Sequence, residues 1–315
     1  MMKSLLAILM FVSLPLFSQT YKYEMKTIGK HEDEVLGVFV NGDDSKFATC
    51  SLDETIKIWS LPAGKEIKTM TGHLGGVNNL SFSGNDKFIA SASSDHTVRI
   101  WDVETGSQVK VLKGHTDEVI GVYYSQDDKK IASTSFDKTV KLWDVELGSE
   151  VKTLRDHSLS TNNVAYSYDN KYIASCSDDK TIKIWSTDLS SKEPIMTLLD
   201  HEAEVLTVLY SFNSERLVST DKSGVIKFWK MPEGKLIRTI KAHTEIVQDA
   251  SFSEDNSMVV TASLDKKVKL WNVESGKELM SFDTGVEIWS VDMVSDASII
   301  IIGCADNTVR FLVKK

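Results

Sequence analysis

The chain reads as an all-β protein built from seven copies of one four-stranded antiparallel unit, and three observations predict this. One phrase recurs seven times: "SLDETIKIW" at 51–59, "SSDHTVRIW" at 93–101, "SFDKTVKLW" at 135–143, "SDDKTIKIW" at 177–185, "KSGVIKFW" at 222–229, "SLDKKVKLW" at 263–271 and "CADNTVRFL" at 304–312. Its final aromatic keeps a period: Trp59, Trp101, Trp143 and Trp185 lie 42 residues apart, Trp229 follows after 44, Trp271 after 42, and Leu312 takes the seventh place after 41. Six histidines keep step, since His31, His73, His115, His157, His201 and His243 each stand 28 residues before their tryptophan. Self-similarity at such a period marks stacked supersecondary units that bury a core only together.

Within a unit the strands follow from alternation and turn chemistry. Repeat three reads "EVIGVYYS" (118–125), a "QDDKK" turn, "IASTS" (131–135), an "FDK" turn, "TVKLWDV" (139–145), an "ELG" turn and "SEVKTL" (149–154). Each strand is rich in β-branched and aromatic residues, and each break carries Asp, Gly, Ser or Lys. The last unit ends at Lys315, directly after its third strand, whereas "EMKTIGKH" at 24–31 aligns with "EIKTMTGH" at 66–73. The N-terminal segment therefore supplies the missing fourth strand.

Four-stranded units with GH dipeptides at 72–73 and 114–115 and WD dipeptides at 101–102 and 143–144 resemble the WD-repeat family. The resemblance covers the chain after residue 20. It implies a seven-bladed β-propeller with repeats near 31–72, 73–114, 115–156, 157–200, 201–242, 243–283 and 284–315 plus 21–30. It also implies closure of the ring by Tyr23–Ile28 pairing beside Thr308–Val313, which leaves no unpaired edge where the ends meet.

The first eighteen residues stand outside this pattern. One lysine, an apolar run from Leu5 to Leu16 and a polar Ser18–Gln19 give the order of a secretory signal peptide, with cleavage expected after Ser18. The run is shorter than the ~20 residues that span a bilayer. The expected products are a leader at 1–18 and one propeller domain at 19–315, exported to the periplasm or the extracellular space with no membrane span in the mature chain. The net charge of −9 argues against nucleic acid, which calls for a basic stripe. Three cysteines, Cys50, Cys176 and Cys304, are too far apart for a zinc motif and fall on like strands of different repeats, so buried free thiols are expected.

Ser133, His115 and Asp137 raise the thought of a catalytic triad, but the same set recurs in register. The resemblance implies a hydrogen-bonded chain within each blade, of histidine, hydroxyl, aspartate and tryptophan. The matching sets are His31–Thr49–Asp53–Trp59, His73–Ser91–Asp95–Trp101, His115–Ser133–Asp137–Trp143, His157–Ser175–Asp179–Trp185 and His243–Thr261–Asp265–Trp271. Indole only donates, carboxylate only accepts, and hydroxyl and imidazole do both, so the four can satisfy one another away from water. Repeat five keeps His201, Ser219 and Trp229 but shows Ser223 in the aspartate column. In repeat seven only Asp306 survives, with Thr284 or Gly285, Ile302 and Leu312 in the other places. Five copies of a set describe a scaffold, so no catalytic residue is assigned.

Function is expected on the loops over this scaffold. In WD-repeat proteins partners often sit on the face formed by the turns before the first strand and between the second and third strands. Three columns fall there. They hold the large apolar Leu36, Leu52, Ile120, Phe136, Leu206, Leu264 and Trp289 among Glu34, Glu118, Glu204, Glu287 and Asp178. Trp289 is the only tryptophan outside the repeating position. This pattern suits a protein or peptide with an apolar anchor and basic flanks, bound by a monomeric, non-catalytic scaffold. The competing expectations are a carbohydrate- or ligand-binding propeller, with Trp289 and Phe136 as stacking surfaces, and an enzyme at the channel mouth. No phosphate loop, HExxH, paired-cysteine or EF-hand spacing occurs, so no cofactor or metal is assigned. The turn acids in "GNDK" (84–87), "QDDKK" (126–130) and "YDNKY" (168–172) are expected to serve their own turns.

Overall fold

A computed structural model describes residues 21–188 and 190–315, and these contain twenty-eight strands and no helix. The expected leader at 1–18 lies outside the described residues. The strands form seven four-stranded antiparallel sheets, the blades of a propeller. In six blades the strands are consecutive, as in Val35–Val40, Lys46–Ser51, Ile56–Ser60 and Glu66–Met70 of blade one. Blade seven runs Ile288–Met293, Ile299–Cys304 and Thr308–Lys314, and takes its outer strand, Tyr23–Lys30, from the other end of the chain. Tyr23 pairs with Lys314 and Lys30 with Thr308, so the closure reaches slightly beyond the expected Tyr23–Ile28, with a bulge between Thr27 and Gly29. The Tyr23 hydroxyl donates to Ala297 O at 2.7 Å and fastens the strand to the blade it completes.

Second strands such as "KFATCS" and "YIASCS" are buried at all but their first residue, because both neighbouring strands and both neighbouring blades cover them. The core is correspondingly divided into seven clusters. The third-strand tryptophan packs against the preceding blade, as Trp101 does with Ala48 and Ile58, and Trp59 with Ile301 and Phe311 across the closure. Cys50, Cys176 and Cys304 are free and buried, and burial pushes the Cys304 thiol up to about 11.

Adjacent blades are also joined by polar contacts at three radii. At the rim, basic side chains of outer strands donate to carbonyls in the next blade's last turn: Lys110 Nζ to Val145 O at 2.7 Å, Lys152 Nζ to Asp188 O at 3.0 Å and Arg238 Nη2 to Glu274 O at 3.0 Å. Lys68 reaches Glu104 O in the same way.

A second ring joins the turns between inner and second strands. Asp44, Asp86, Asp128, Asn170, Ser214 and Asn256 all have φ near +60°, a region that Asp and Asn enter more readily than most residues. From there each accepts a backbone N–H of the preceding blade, as Asn170 Oδ1 does from Gln126 N at 2.7 Å and Asp86 Oδ1 from Gly42 N at 3.0 Å. This modifies the sequence expectation. Asp127 and Asp169 do serve their own turns, bonding Lys129 N and Lys171 N, but the αL residue beside each faces its neighbour.

The third ring lines the channel. An inner strand is an edge, and its outward N–H groups need acceptors. Asn79 and Ser81 of blade two supply them to Val122 N and Tyr124 N of blade three, and Asn163 supplies Val208 N. At the closure, Asp249, Ser290 and Asp292 do the same for Val291, Val38 and Val40.

Candidate protein-binding face

The expected side-chain sets close in five blades. In blade three the Trp143 indole donates to Ser133 Oγ at 2.8 Å, Ser133 Oγ lies 2.8 Å from His115 Nε2, and His115 Nδ1 lies 2.8 Å from Asp137 Oδ2. Because the carboxylate only accepts, Nδ1 carries the proton and Nε2 accepts from the serine. The same links join His31, Thr49, Asp53 and Trp59; His73, Ser91, Asp95 and Trp101; His157, Ser175, Asp179 and Trp185; and His243, Thr261, Asp265 and Trp271. Ser133 is wholly buried, with its oxygen held between indole and imidazole. The aspartate also accepts from Thr139 N and Thr116 N, which fixes the two turns on this face. Burial pushes the Asp137 carboxyl up, but the bonds from His115 and Thr139 outweigh it and hold the group well below the usual carboxylate range. Burial drives the His115 imidazole down, against the pull of Asp137.

Blade five corrects the sequence reading. Ser223 does not replace the aspartate, because Asp221 fills that role from two residues upstream. His201 Nδ1 lies 2.7 Å from Asp221 Oδ2, while Asp221 Oδ1 accepts from Ser223 N and Val225 N. The carboxylate is long enough to reach the imidazole from the end of the second strand, where five other blades carry serine and blade seven carries Cys304. Lys222 therefore follows its aspartate instead of preceding it.

Blade seven has a substitute that the sequence reading missed. The Arg310 guanidinium pairs with Asp306 and donates to Thr284 O at 3.0 Å, spanning the gap left by the absent histidine. Ile302 and Leu312 occupy the hydroxyl and tryptophan places and are fully buried.

Every inner strand carries a β-bulge after its first residue, with register shifts at Val35/Gly37, Val77/Asn79, Val119/Gly121, Thr161/Asn163, Val205/Thr207, Val247/Asp249 and Ile288/Ser290. The extra residue is Leu36, Asn78, Ile120, Asn162, Leu206, Gln248 or Trp289, a column already singled out in the sequence. A bulge frees one residue from the ladder and re-aims its side chain. Asn78 and Asn162 use that freedom structurally, donating to Val119 O and Val205 O of neighbouring blades. Leu36, Ile120, Leu206, Leu264 and Trp289 are half-buried, whereas Leu52 and Phe136 are each 40% exposed. Two apolar residues outside the aligned columns join them: Leu74, 82% exposed, and Leu159, 47% exposed. The most exposed apolar surface of this face thus lies on blades one to four.

The acids differ in how far they are engaged. Glu118 accepts from Ser94 at 2.7 Å, and Lys222 stands 4.0 Å from Glu204 and 3.3 Å from Asp178. Glu34 has no cation beside it among the described residues. Burial first, then Asp33 and Glu287, push its carboxyl up, with the Trp289 indole pulling the other way. The indole N–H itself is buried and closes no hydrogen bond among the described residues.

A closed ring of seven four-stranded blades with repeated His–Ser/Thr–Asp–Trp chains defines a WD-repeat propeller, a fold that typically serves as a protein-interaction scaffold. The family profile "WD domain, G-beta repeat" matches residues 22–60, 64–102, 106–144, 148–186, 192–230 and 234–272, and the chain belongs to that family. The three C-terminal strands of blade seven, which lacks the histidine and tryptophan, fall outside the matched units, whereas its outer strand Tyr23–Lys30 lies within the first. Among curated proteins the chain is similar to "WD repeat and SOCS box-containing protein 1" of Homo sapiens and of Xenopus tropicalis, 35% identical over 57 residues, which is 18% of this chain and 14% of each relative. It is also similar to "Angio-associated migratory cell protein" of Homo sapiens, 28% identical over 78 residues, 25% of this chain and 18% of the relative. The matched stretches span less than a fifth of these relatives.

Proposed function

We propose that this propeller is an exported, non-catalytic scaffold whose bulge-lined face binds a protein or peptide with an apolar anchor and basic flanks. The observation that carries the reading is the exposed set Leu52, Leu74, Phe136 and Leu159 on one arc of the face, with Glu34 and Trp289 at the channel mouth. Apolar side chains held out on a rigid rim, with carboxylates nearby, suit a partner that buries an anchor and places cations around it. The signal-like order of residues 1–18 supports export to the periplasm or extracellular space.

The test is recovery of partners by the tagged mature chain from its own cell envelope, compared with Phe136→Ala and Trp289→Ala variants. A partner retained by the parent and lost from both variants is the expected result. Equal recovery by all three chains removes this face from consideration. Mass spectrometry of the purified parent checks export, because Gln19 should be its first residue and an intact Met1 would contradict cleavage.

A further inference from the structure

The channel has a second end, at the turns between inner and second strands, and behind it lies a cavity of about 420 Å³ to which all seven blades contribute. That volume falls within the range that accommodates a small organic ligand. Acids and rings both line it. Asp249, Glu254 and Asp292 come from blades six and seven, while Asp44 and Asp86 of blades one and two are already engaged by Ser295 N and Gly42 N. The rings of Tyr123, Tyr168 and Phe212 stand on blades three to five, and phenylalanines of blades one, two and six add to them. Tyr168 and Phe212 pack together with centroids 4.8 Å apart. No lysine, arginine or histidine is among the described residues that line the cavity. Where blades four and five carry these rings, blades one and two carry Gly42 and Gly84, which leaves that side of the mouth open.

Asp249 and Asp292 are fixed in place yet have no counter-charge among the described residues. Asp249 accepts from Ser290 Oγ at 2.7 Å, Val291 N and Ala250 N. Asp292 accepts from Ser251 Oγ at 2.6 Å, Val40 N and Met293 N. A carboxylate has about four acceptor sites, so each retains roughly one for a further donor. Burial pushes Asp249 up to about 7 and Asp292 up to about 6, and the Asp292 charge adds to the first shift. Burial raises both groups because no cation among the described residues lies beside them to favour the charged form.

The rings add a second feature. The phenol of Tyr123 lies inside the channel, where burial pushes it up to about 12 with Asp292 as the next influence, and its hydroxyl bonds to no group among the described residues. The Tyr168 hydroxyl likewise has no protein partner among the described residues, and burial first, then Tyr123, Glu254 and Asp292, push it up. Aromatic rings and carboxylates lining one cavity favour a cation with an apolar body, whose charge the acids hold and whose stem the rings cover. The described residues include no group of three His, Cys, Asp or Glu side chains arranged to hold a metal ion, so the donor geometry favours an organic cation.

We propose that this end of the channel binds an alkylammonium or guanidinium group, with its charge beside Asp249 and Asp292 and its stem against Tyr123 and Tyr168. The group can belong to a free small amine or to a basic side chain of a bound peptide, and the chemistry of recognition is shared. The site is separate from the apolar face at the other end of the channel.

Calorimetric titration of the mature chain with agmatine, putrescine and arginine, with 1-pentanol as the uncharged control, tests the proposal. Agmatine should bind and 1-pentanol should not. Glu254→Gln and Tyr168→Ala alter no hydrogen bond of the fold and should keep the parent's circular dichroism spectrum. Each, like Asp249→Asn, should weaken agmatine about tenfold, the loss expected for one charge-assisted or cation–π contact. Phe136→Ala should leave agmatine binding unchanged, so failure here and failure of the apolar face are separable. Tighter binding of an arginine-ended peptide than of agmatine would assign the cation to a partner's side chain, and the reverse order to a free amine. No heat with any of the three amines up to ~10 mM, a weaker affinity than a preformed charged pocket gives, overturns the proposal. So does an agmatine affinity that Asp249→Asn and Glu254→Gln leave unaltered.

Discussion

The ammonium of Lys110 lies 2.7 Å from the carbonyl oxygen of Val145, a residue of the next blade, and reaches the Glu146 carbonyl as well. Its stem runs beside Gly148, whose φ of +65° turns the receiving loop. A Cβ there would stand 3.1 Å from Lys110 Cδ. The Lys68–Gly106 and Arg238–Gly276 pairs repeat the arrangement more tightly, with a Cβ at 2.4 Å from the stem in both. The glycine is needed twice over, for its backbone conformation and for the space that the neighbour's stem fills.

That double need separates two substitutions. Gly106→Ala should cost about 2–3 kcal/mol, from the left-handed backbone penalty and from displacement of Lys68. Gly285→Ala has a similar φ of +77° but nothing within 4 Å of the new carbon, and should cost only about 1 kcal/mol. Urea unfolding of the two variants checks this, and equal costs would mean that the lysine stem is free to move aside.

Blade five gives a second discriminating pair. Asp221→Ala removes the acceptor for His201 Nδ1, Ser223 N and Val225 N in a buried place. Unmet donors there should cost about 2–4 kcal/mol. Ser223→Ala removes one hydroxyl that donates to the same carboxylate from an exposed position and should change stability by less than about 1 kcal/mol. The opposite ranking would restore Ser223 to the aspartate's role.

These examples show what the sequence made legible. Blade number, strand order and ring closure follow from a period and from one aligned octapeptide, because every blade solves the same packing problem. Asp221 escaped because columns were aligned by spacing, whereas a side chain's reach let the carboxylate move two positions along the chain. Arg310 escaped for a related reason, since a guanidinium spans the distance normally covered by two groups. Leu74 and Leu159 stand outside the aligned columns, and their exposure depends on how the turn is aimed. The bulge that frees Leu36 through Trp289 leaves no mark on residue identity, and Asp249 and Asp292 occupy inner-strand positions that change type from blade to blade.

The His–Asp chains predict sensitivity to acid. Burial lowers the His73, His115 and His243 imidazoles from their ordinary 6.5, each against the pull of its aspartate. A lowered histidine stays neutral in the fold while the unfolded chain takes up protons, so stability is lost as pH falls below about 6.5. Asp53, Asp95, Asp137 and Asp179 are held far below 3.8, where hydrogen bonds from histidine and threonine outweigh burial, and their contribution is lost at still lower pH. The share of stability that these chains supply should therefore decline from about pH 6.5 downward and further below about pH 4, against the opposing contribution of Asp249 and Asp292. NMR of the imidazole protons should find these three histidines neutral at the pH where free histidine is half protonated. Ordinary titration of all three would sink the prediction.

Asp249 acts in the opposite direction. Its folded pKa of about 7 lies above the ordinary 3.8, so the folded state holds a proton that the unfolded state releases. Its stabilising effect is complete below about pH 3.8 and is lost as pH rises through about 7. Above that, the fold carries a half-buried charge with no cation near it among the described residues and with Asp292 adding to the repulsion. The fold already shows the neutral solution. Asn79 and Asn163 occupy the same inner-strand position in blades two and four, and their Oδ1 atoms accept from Val122 N and Val208 N of the next blade. Asp249→Asn keeps that oxygen for Val291 N and removes the charge. The variant should be more stable than the parent at about pH 8, and the gap should close as the parent is protonated toward about pH 4. Thermal unfolding of both chains across this range measures it without added amines, which would mask the effect by neutralising the carboxylate. A variant less stable than the parent at about pH 8 would show that the carboxylate's three hydrogen bonds outweigh its desolvation.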